Sequence, residues 1–383
     1  MKPIPIFFYG DSPDLRGGLS RIGRDLAVLT STLPEFRVGY FGRGGHGSRQ
    51  LPFAQYNFSE YDQWGEMLLQ KTWEDFSSGI NGVILSIWDA SRLTWFGAPR
   101  PEGIPKGMYE FLTSGTFQRW GYFPVDATSP TGGLSFLGAQ TLKGYNRVLA
   151  YTKFGADVLQ SNWIPHGINM DKFQPRGKTA GRLALGINQK DRLVGCVMTN
   201  QQRKDWGLAF AAINEVRKST KAKFWVHVDV LERSHAWSIP ALITDFNAGD
   251  WVKVTFSGAY NDEELSHFYS ACDLTILPSL GEGFGYPVVE SLACGVPVVT
   301  GNYAGSAELI VNKQCLVEPA AWRLESLGNC IRPVYDPAIF AEVVLEVLSQ
   351  KADSTFCRTS VEHLDWKRLW PGCWKKWLLG GLR

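Results

Sequence analysis

Apolar runs along this chain break off repeatedly at glycine and proline, and they alternate with stretches whose apolar positions recur every three or four residues. Ile4-Pro5-Ile6-Phe7-Phe8-Tyr9 reads as a short buried strand ending at Gly10-Asp11-Ser12-Pro13. A Gly17-Gly18 pair follows, and then Leu19, Ile22, Leu26 and Leu29 at helical spacing. Strand, glycine loop and helix in that order open an α/β domain. Further strands are predicted at Val38–Phe41, Gly82–Ile87 and Val148–Tyr151, with helical stretches between them. The proline-rich stretch Ala98–Lys106 reads as a loop.

The character changes near Ser161. Asn162-Trp163-Ile164-Pro165-His166-Gly167-Ile168-Asn169 leads through Phe173 and Pro175 into a polar, basic stretch, and a second alternating series begins. Its strands are predicted at Leu193–Met198, Phe224–Val230, Val252–Phe256, Leu274–Leu277 and Val296–Thr300. Its helices are predicted at Leu208–Lys218, Glu263–Ala271, Pro287–Ala293 and Pro337–Leu348. Alternating strands and helices imply parallel sheets with helices on both faces. Two such series imply an α/β chain of two Rossmann-like domains facing across a cleft. The expected organisation is a first domain over 1–161, a connection over 162–176, a second domain over 177–352 and a basic, Trp-rich helical segment over 353–383 that packs back on the body. In that segment Trp366, Trp370, Trp374 and Trp377 fall on one face of a helix broken by Pro371. Lys367, Arg368, Lys375, Lys376 and Arg383 among them raise a second reading, contact with a membrane surface or nucleic acid.

Composition narrows the function classes. The 383 residues are 44% hydrophobic and 20% charged, too apolar for disorder. Lys and Arg number 39 against 37 Asp and Glu, so no strong overall field steers partners. Met1–Asp11 is too short and polar for a signal peptide, and no apolar run is long enough to span a membrane. All seven cysteines lie from Cys196 onward and none forms C-x-x-C, which argues against a disulfide scaffold or zinc site and for a reducing cytoplasm.

The segment richest in chemistry runs from Leu274 to Thr300. A strand ends near Pro278, a loop carries Gly281, Gly283 and Gly285, Pro287 suits the first turn of a helix and Gly295 its stop. The amino end of that helix favours an anion such as a phosphate. Two carboxylates, Glu282 in the loop and Glu290 in the helix, look out of place there unless the ligand also carries hydroxyls. A nucleotide sugar carries both groups, because carboxylates accept hydrogen bonds from vicinal hydroxyls.

Glu282-x7-Glu290 within G-E-G-F-G-x-P-x-x-E-x-x-A-x-G-x-P-V-V resembles the signature of retaining glycosyltransferases of the GT-B fold, family GT4 (glycosyl transferases group 1). Ile164-Pro165-His166-Gly167-Ile168-Asn169, Phe173-x-Pro175 and the segment Ser257-Gly258…Asp262-Glu263-Glu264-Leu265…Tyr269-x-x-Cys272-Asp273 are similar to the same family, so the resemblance covers roughly 162–310. It implies that Glu290 binds the donor ribose and that Glu282 holds the transferred sugar, with Gly283, Phe284 and Gly285 supplying backbone contacts. It implies that Arg203 and Lys204 neutralise the donor diphosphate, and that Gly17 and Gly18 let the first loop approach the phosphates. The donor it suggests is a UDP-sugar such as UDP-glucose, with no other cofactor. The absence of any D-x-D motif argues against the metal-dependent GT-A fold, and no essential metal is expected.

Acceptor residues are less legible. Relatives often place a histidine after a central strand of the first domain; here Trp88-Asp89 occupies that place, and Asp89 and Asp126 are the candidates to orient an acceptor hydroxyl. His46, in a glycine-rich loop, is a third candidate, whereas His166 reads as a structural linker residue. From Arg176 to Lys223 there are 11 basic and 3 acidic residues, and the first 50 residues hold Lys2 and six Arg against four acids. Such patches suit a polyanion, for instance DNA carrying 5-hydroxymethylated pyrimidines, with Trp88, Trp95 and Trp120 available to stack a flipped base. A glycan or lipid-linked acceptor at an anionic membrane surface is the alternative. Other classes that share two such domains are a sugar-nucleotide epimerase, a sugar phosphorylase and a noncatalytic sugar-nucleotide binder.

Overall fold

The computed structural model describes residues 2–59, 61–99, 103–184, 186–256, 258, 260–326 and 328–382. Part of the expected Ala98–Lys106 loop, Ser257 and Arg383 therefore lie outside the described residues. The chain divides into two compact units, one of residues 1–166 with 372–383, the other of residues 167–371.

The first unit holds a seven-stranded parallel sheet. Its strands are β1 (Ile4–Asp11), β2 (Phe36–Arg43), β3 (Ala54–Phe58), β4 (Gly82–Ile87), β5 (Phe117–Phe123), β6 (Arg147–Ala150) and β7 (Asn162–Trp163), in the order β3-β2-β1-β4-β5-β6-β7. The chain fills one side of β1 first and then returns to its other side with β4. The carboxyl ends of β1 and β4 thus form a topological switch point, where open α/β sheets bind ligands. One sheet face is an aromatic layer: Phe7, Tyr9, Phe41, Phe58, Trp73 and Trp88 are all buried. Their rings meet edge-on and offset, as Tyr9 and Trp88 do at 4.9 Å and Phe7 and Phe76 at 5.0 Å.

The second unit holds a six-stranded parallel sheet of β8 (Leu193–Val197), β9 (Lys223–Val228), β10 (Val252–Phe256), β11 (Leu274–Leu277), β12 (Val298–Gly301) and β13 (Leu316–Val317), in the order β10-β9-β8-β11-β12-β13. Its switch point is at β8 and β11. An antiparallel hairpin, β14 (Ala321–Glu325) and β15 (Cys330–Val334), follows. β10 and β11 match the predicted spans, and the predicted helices appear as Trp206–Ser219, Asp262–Ala271, Tyr286–Ala293 and Pro337–Ser349. β3, β5 and the hairpin carry mixed polar and aromatic residues and escape the apolar-run criterion.

The terminal segment is helical but interrupted. Trp366–Leu369 and Lys375–Gly380 flank a wide turn over Trp370–Trp374 that contains Pro371. Trp366, Trp374 and Trp377 are packing groups. Trp366 lies against Gly167 of the second unit, where a Cβ would come within 2.1 Å of the indole. In the first unit Trp374 is fully buried edge-on to Tyr122 at 4.7 Å, and its N–H donates to the Pro165 carbonyl at 3.2 Å. Arg147 stacks on both Trp120 and Trp377, at 4.6 and 4.3 Å from the ring centres. Lys367 pairs with Asp171, and Arg368 with Glu362. Trp374 and Trp377 are thus engaged with the first unit, not presented to a membrane or nucleic acid. Among the described residues no helix is long and apolar enough to cross a membrane.

Trp374→Ala is expected to lower the stability of the first unit by about 3–5 kcal/mol, as deletion of a buried aromatic does. A denaturant titration of the full chain, followed by tryptophan fluorescence, measures it.

Candidate active site

In the second unit the chemistry-bearing residues gather on the loops that leave β8 and β11. After β8 the chain makes a short 3-10 turn, Gln202–Lys204, and Asp205 then caps the next helix from a left-handed conformation (φ 45°), its side chain accepting from Leu208 N–H. After β11 it runs through Ser279–Gly285. Hydrogen bonds join the two loops: Leu280 N–H donates to the Arg203 carbonyl at 2.8 Å, and the Arg203 guanidinium donates to the Gly281 carbonyl at 2.7 Å. The short helix after β12, Ala304–Glu308, closes the frame through Gly305 N–H, which donates to the Glu282 carbonyl at 2.9 Å. A Cβ on Gly305 would meet the carbonyl oxygens of Glu282 and Gly283 at 2.8 Å, so only glycine fits there. Gly285 caps the helix Tyr286–Ala293 at φ 109°, a conformation that also demands glycine.

Glu282 is buried, and the two cations predicted for the diphosphate converge on it. The Lys204 ammonium pairs with its Oε1, and the Arg203 guanidinium lies 3.4 Å from its Oε2. Lys204 is itself buried; Arg203 is a quarter exposed. Burial alone would push the Glu282 carboxyl up, but the Lys204 ammonium and then the Arg203 guanidinium outweigh it and hold the carboxyl down, to about 2. Glu282 is therefore ionised at neutral pH, and each of its oxygens keeps acceptor capacity beyond its cation.

Glu290 is buried eight residues on, in the helix, where Tyr269 O–H donates to its Oε2 at 2.7 Å. Phe284 is buried edge-on to Tyr286 at 5.6 Å, so its ring packs the loop while its backbone shapes it. Arg358 donates to the Ala293 carbonyl at 2.7 Å and to the carbonyls of Phe173 and Met170 at 2.9 Å, tying the helix's carboxyl end to the preceding connection. Tyr269, Ser279 and Gly305 were not predicted as site residues. Tyr269 was visible as part of a matching motif, but its contact with Glu290 spans two helices and has no local signature.

In the first unit Gly17 caps the helix Gly18–Thr30 with ordinary torsions (φ −74°, ψ 163°), and a Cβ there would meet nothing within 4 Å. Neither backbone nor packing demands that glycine. Asp89 opens the 3-10 turn after β4 and pairs with Arg92 at 2.9 Å, both partly exposed. Asp126 is half-buried just beyond β5. His46 sits in a loop bound to the one after β1: Asp14 accepts from the backbone N–H of His46, Ser48 and Arg49, each at 3.1 Å. His166 is a buried structural residue. Its Nδ1 lies 2.8 Å from Tyr122 Oη, and burial pushes its imidazole well below the ordinary range.

The proposed base-stacking aromatics are not available. Trp88, Trp95 and Trp120 are all buried in the core. Among the described residues, six of the eleven cations of the basic stretch have acidic partners: Arg182 and Lys178 pair with Asp273, Arg176 with Glu263 and Lys218 with Glu215, while Arg203 and Lys204 serve Glu282.

Lys204→Ala leaves a buried carboxylate short of a cation and is expected to cost about 3 kcal/mol. The depressed Glu282 carboxyl stabilises the fold fully above the unfolded value of about 4.3. That contribution is lost as pH falls towards about 2. Lys204→Ala is therefore expected to move acid unfolding to higher pH, measured by circular dichroism across an acid titration.

Residues 184–351 match the family described as glycosyl transferases group 1. The D-inositol 3-phosphate glycosyltransferase of Segniliparus rotundus is 27% identical over 172 residues, 45% of this chain and 38% of that protein. Its counterpart in Geodermatophilus obscurus is 28% identical over 221 residues, 56% of this chain and 46% of that protein. The matches thus span less than half the length of these relatives. Sucrose-phosphate synthase from Thermosynechococcus elongatus superposes with a TM-score of 0.74 at 15% identity, covering 99% of this chain and 100% of that one. HepE of Anabaena, in complex with UDP-glucose, superposes with 0.63 at 15% identity, covering 94% and 98%. The resemblance read from Glu282, Glu290 and their neighbours is borne out: residues 184–351, within the second unit, match the group 1 glycosyltransferases, and the chain has the GT-B fold.

Proposed function

We propose that the chain is a retaining glycosyltransferase that moves a sugar from a UDP-sugar, such as UDP-glucose, to a hydroxyl acceptor. The observation that carries this reading is the buried Glu282 carboxylate held between Lys204 and Arg203 beside the amino end of the helix that bears Glu290. In this reading Glu282 holds hydroxyls of the transferred sugar and Glu290 those of the ribose, with Gly283, Phe284 and Gly285 as backbone contacts. Cleavage of the sugar–phosphate bond puts negative charge on the leaving diphosphate. Arg203, Lys204 and the helix end stabilise it, so charge compensation comes from the chain itself. The acceptor oxygen attacks from the face the diphosphate leaves, and the acceptor proton passes to the departing phosphate oxygen. No enzyme nucleophile is needed. Gly17 and Gly18 admit the phosphates, and Asp89 and Asp126 remain candidates on the acceptor side.

Of the two acceptor classes, a polyol or glycan is favoured over modified DNA, because Trp88, Trp95 and Trp120 are core and six of the eleven cations of the basic stretch are already paired with acids. The D-inositol 3-phosphate glycosyltransferases among the relatives and the UDP-glucose in complex with HepE agree with a polyol acceptor and a UDP-sugar donor. A cytoplasmic location belongs to the same reading, supported by seven free thiols.

The test is UDP release from a panel of UDP-sugars, with sugars, polyols, their phosphates, oligosaccharides or 5-hydroxymethylcytosine DNA as acceptors. The expected result is release stimulated by a sugar or polyol. Glu282→Ala is expected to lower that turnover about 100-fold or more. Glu290→Gln is expected to weaken UDP binding about tenfold, read by calorimetry. A new UDP-sugar formed without UDP release would make the protein an epimerase. Unchanged turnover in Glu282→Ala would overturn the assignment.

A further inference from the structure

The carboxyl rim of the first unit's sheet contains a carboxylate that the sequence reading passed over. Asp11 is the last residue of β1 and stands in register with Arg43, the last residue of β2. On the other side β1 and β4 part at the pair Gly10 and Ile87, so Trp88 is the next residue across from Asp11. Asp11 therefore sits at the switch point, the place in the unit where sheet topology opens a crevice. Trp88 is fully buried, and its indole N–H donates to Asp11 Oδ1 at 3.0 Å. Among the described residues Oδ2 makes no hydrogen bond, and the residue is half-buried. One oxygen is thus fixed by the aromatic layer and the other is left to a ligand.

The surroundings are built to hold that orientation. Trp64 lies edge-on to Trp88 at 5.3 Å, and the guanidinium groups of Arg43 and Arg92 lie 4.8 and 5.3 Å from its ring centre. Burial pushes the Asp11 carboxyl up, and the Trp88 hydrogen bond, Arg92 and Arg43 offset this only in part. Arg92 is paired with Asp89, so Arg43 and Arg92 are balanced locally by Asp11 and Asp89. A crevice balanced in this way favours a neutral, hydroxyl-bearing group over an anion.

We propose that Asp11 binds the acceptor, with Oδ2 accepting the hydrogen bond of the attacking hydroxyl of a polyol or sugar ring. This rests on the glycosyltransferase reading above and adds to it the residue that aims the acceptor. In the transfer step the acceptor oxygen forms its bond to the anomeric carbon and the bond from that carbon to the diphosphate breaks. The electron pair leaves on the diphosphate, and the hydroxyl proton passes to its oxygen. Asp11 orients the hydroxyl and ends the step unchanged. Asp89, by contrast, already spends an oxygen on Arg92.

Asp11→Asn keeps an acceptor for the Trp88 N–H and removes the charge; Asp11→Glu keeps the charge and displaces it. Each is compared with the unaltered chain for UDP affinity by calorimetry, thermal midpoint, and UDP release from UDP-glucose with water and with myo-inositol as acceptors. The expected result is an unchanged thermal midpoint, a UDP affinity within about twofold, and release about 10- to 100-fold slower in Asp11→Asn. Should Asp11→Asn fail to fold, slower release with intact UDP affinity in Asp11→Glu carries the same meaning. Wild-type release rates in either folded variant overturn the proposal. So does a loss of UDP affinity that matches the loss of rate, since it would assign Asp11 to the donor or to the fold. Failure of the unaltered chain to bind UDP, in contrast, would sink the donor reading itself and this proposal with it.

Discussion

A carboxylate taken out of water stays ionised only if cations are buried with it, and the loops at the switch point of the second unit are organised around that requirement at Glu282. Lys204 and Arg203 come from the loop after β8, Glu282 from the loop after β11, and the two loops meet because those strands are neighbours at the sheet's switch point. The backbone links from Leu280 to Arg203 and from Gly305 to Glu282 then fix the carboxylate's position as well as its charge. A cluster of this kind costs desolvation and adds little net stability over an apolar core. In the proposed function its value is a preorganised charge arrangement, already in place before a ligand with hydroxyls and phosphates arrives.

The first unit reaches a comparable end by other means. Its sheet is backed by an aromatic layer in which Phe7, Tyr9, Phe41, Phe58 and Trp88 interlock. At the carboxyl rim the same face continues as Asp11 and Arg43, with Trp88 and Trp64 between the packed rings and the polar groups. Rigid aromatic packing sets where the rim carboxylate points, much as ion pairing sets it in the second unit.

Much of this was legible in the chain. The glycine-spaced loop, the two carboxylates and the flanking helix signals around Glu282 are local in sequence, and backbone chemistry makes them readable. The pairing of Arg203 and Lys204 with Glu282 is not local: for Lys204 it spans 78 positions, and it depends on β8 lying beside β11. Asp11 was passed over because it reads as the polar stop of a strand, and only the order of β1, β2 and β4 reveals it as a rim residue. The tryptophans misled for a related reason. A Trp among basic residues looks like a contact surface, but Trp120 and Trp377 hold Arg147 in a half-buried cation–aromatic stack, with Trp374 edge-on to Trp377, that no spacing rule distinguishes from an exposed one. β3, β5 and the β14–β15 hairpin were missed because their mixed composition hides a strand held by its neighbours.

The most direct measurement of the central claim is the pH titration of the Glu282 side-chain carboxyl by carbon NMR in glutamate-labelled protein, assigned by loss of its signal in Glu282→Gln. The account predicts a carboxyl ionised across the whole range from about pH 4 to 7.5, and one that begins to titrate within that range once Arg203 and Lys204 are both replaced by alanine. A Glu282 that titrates near the ordinary glutamate value in the unaltered chain, or that is indifferent to the loss of both cations, would contradict it.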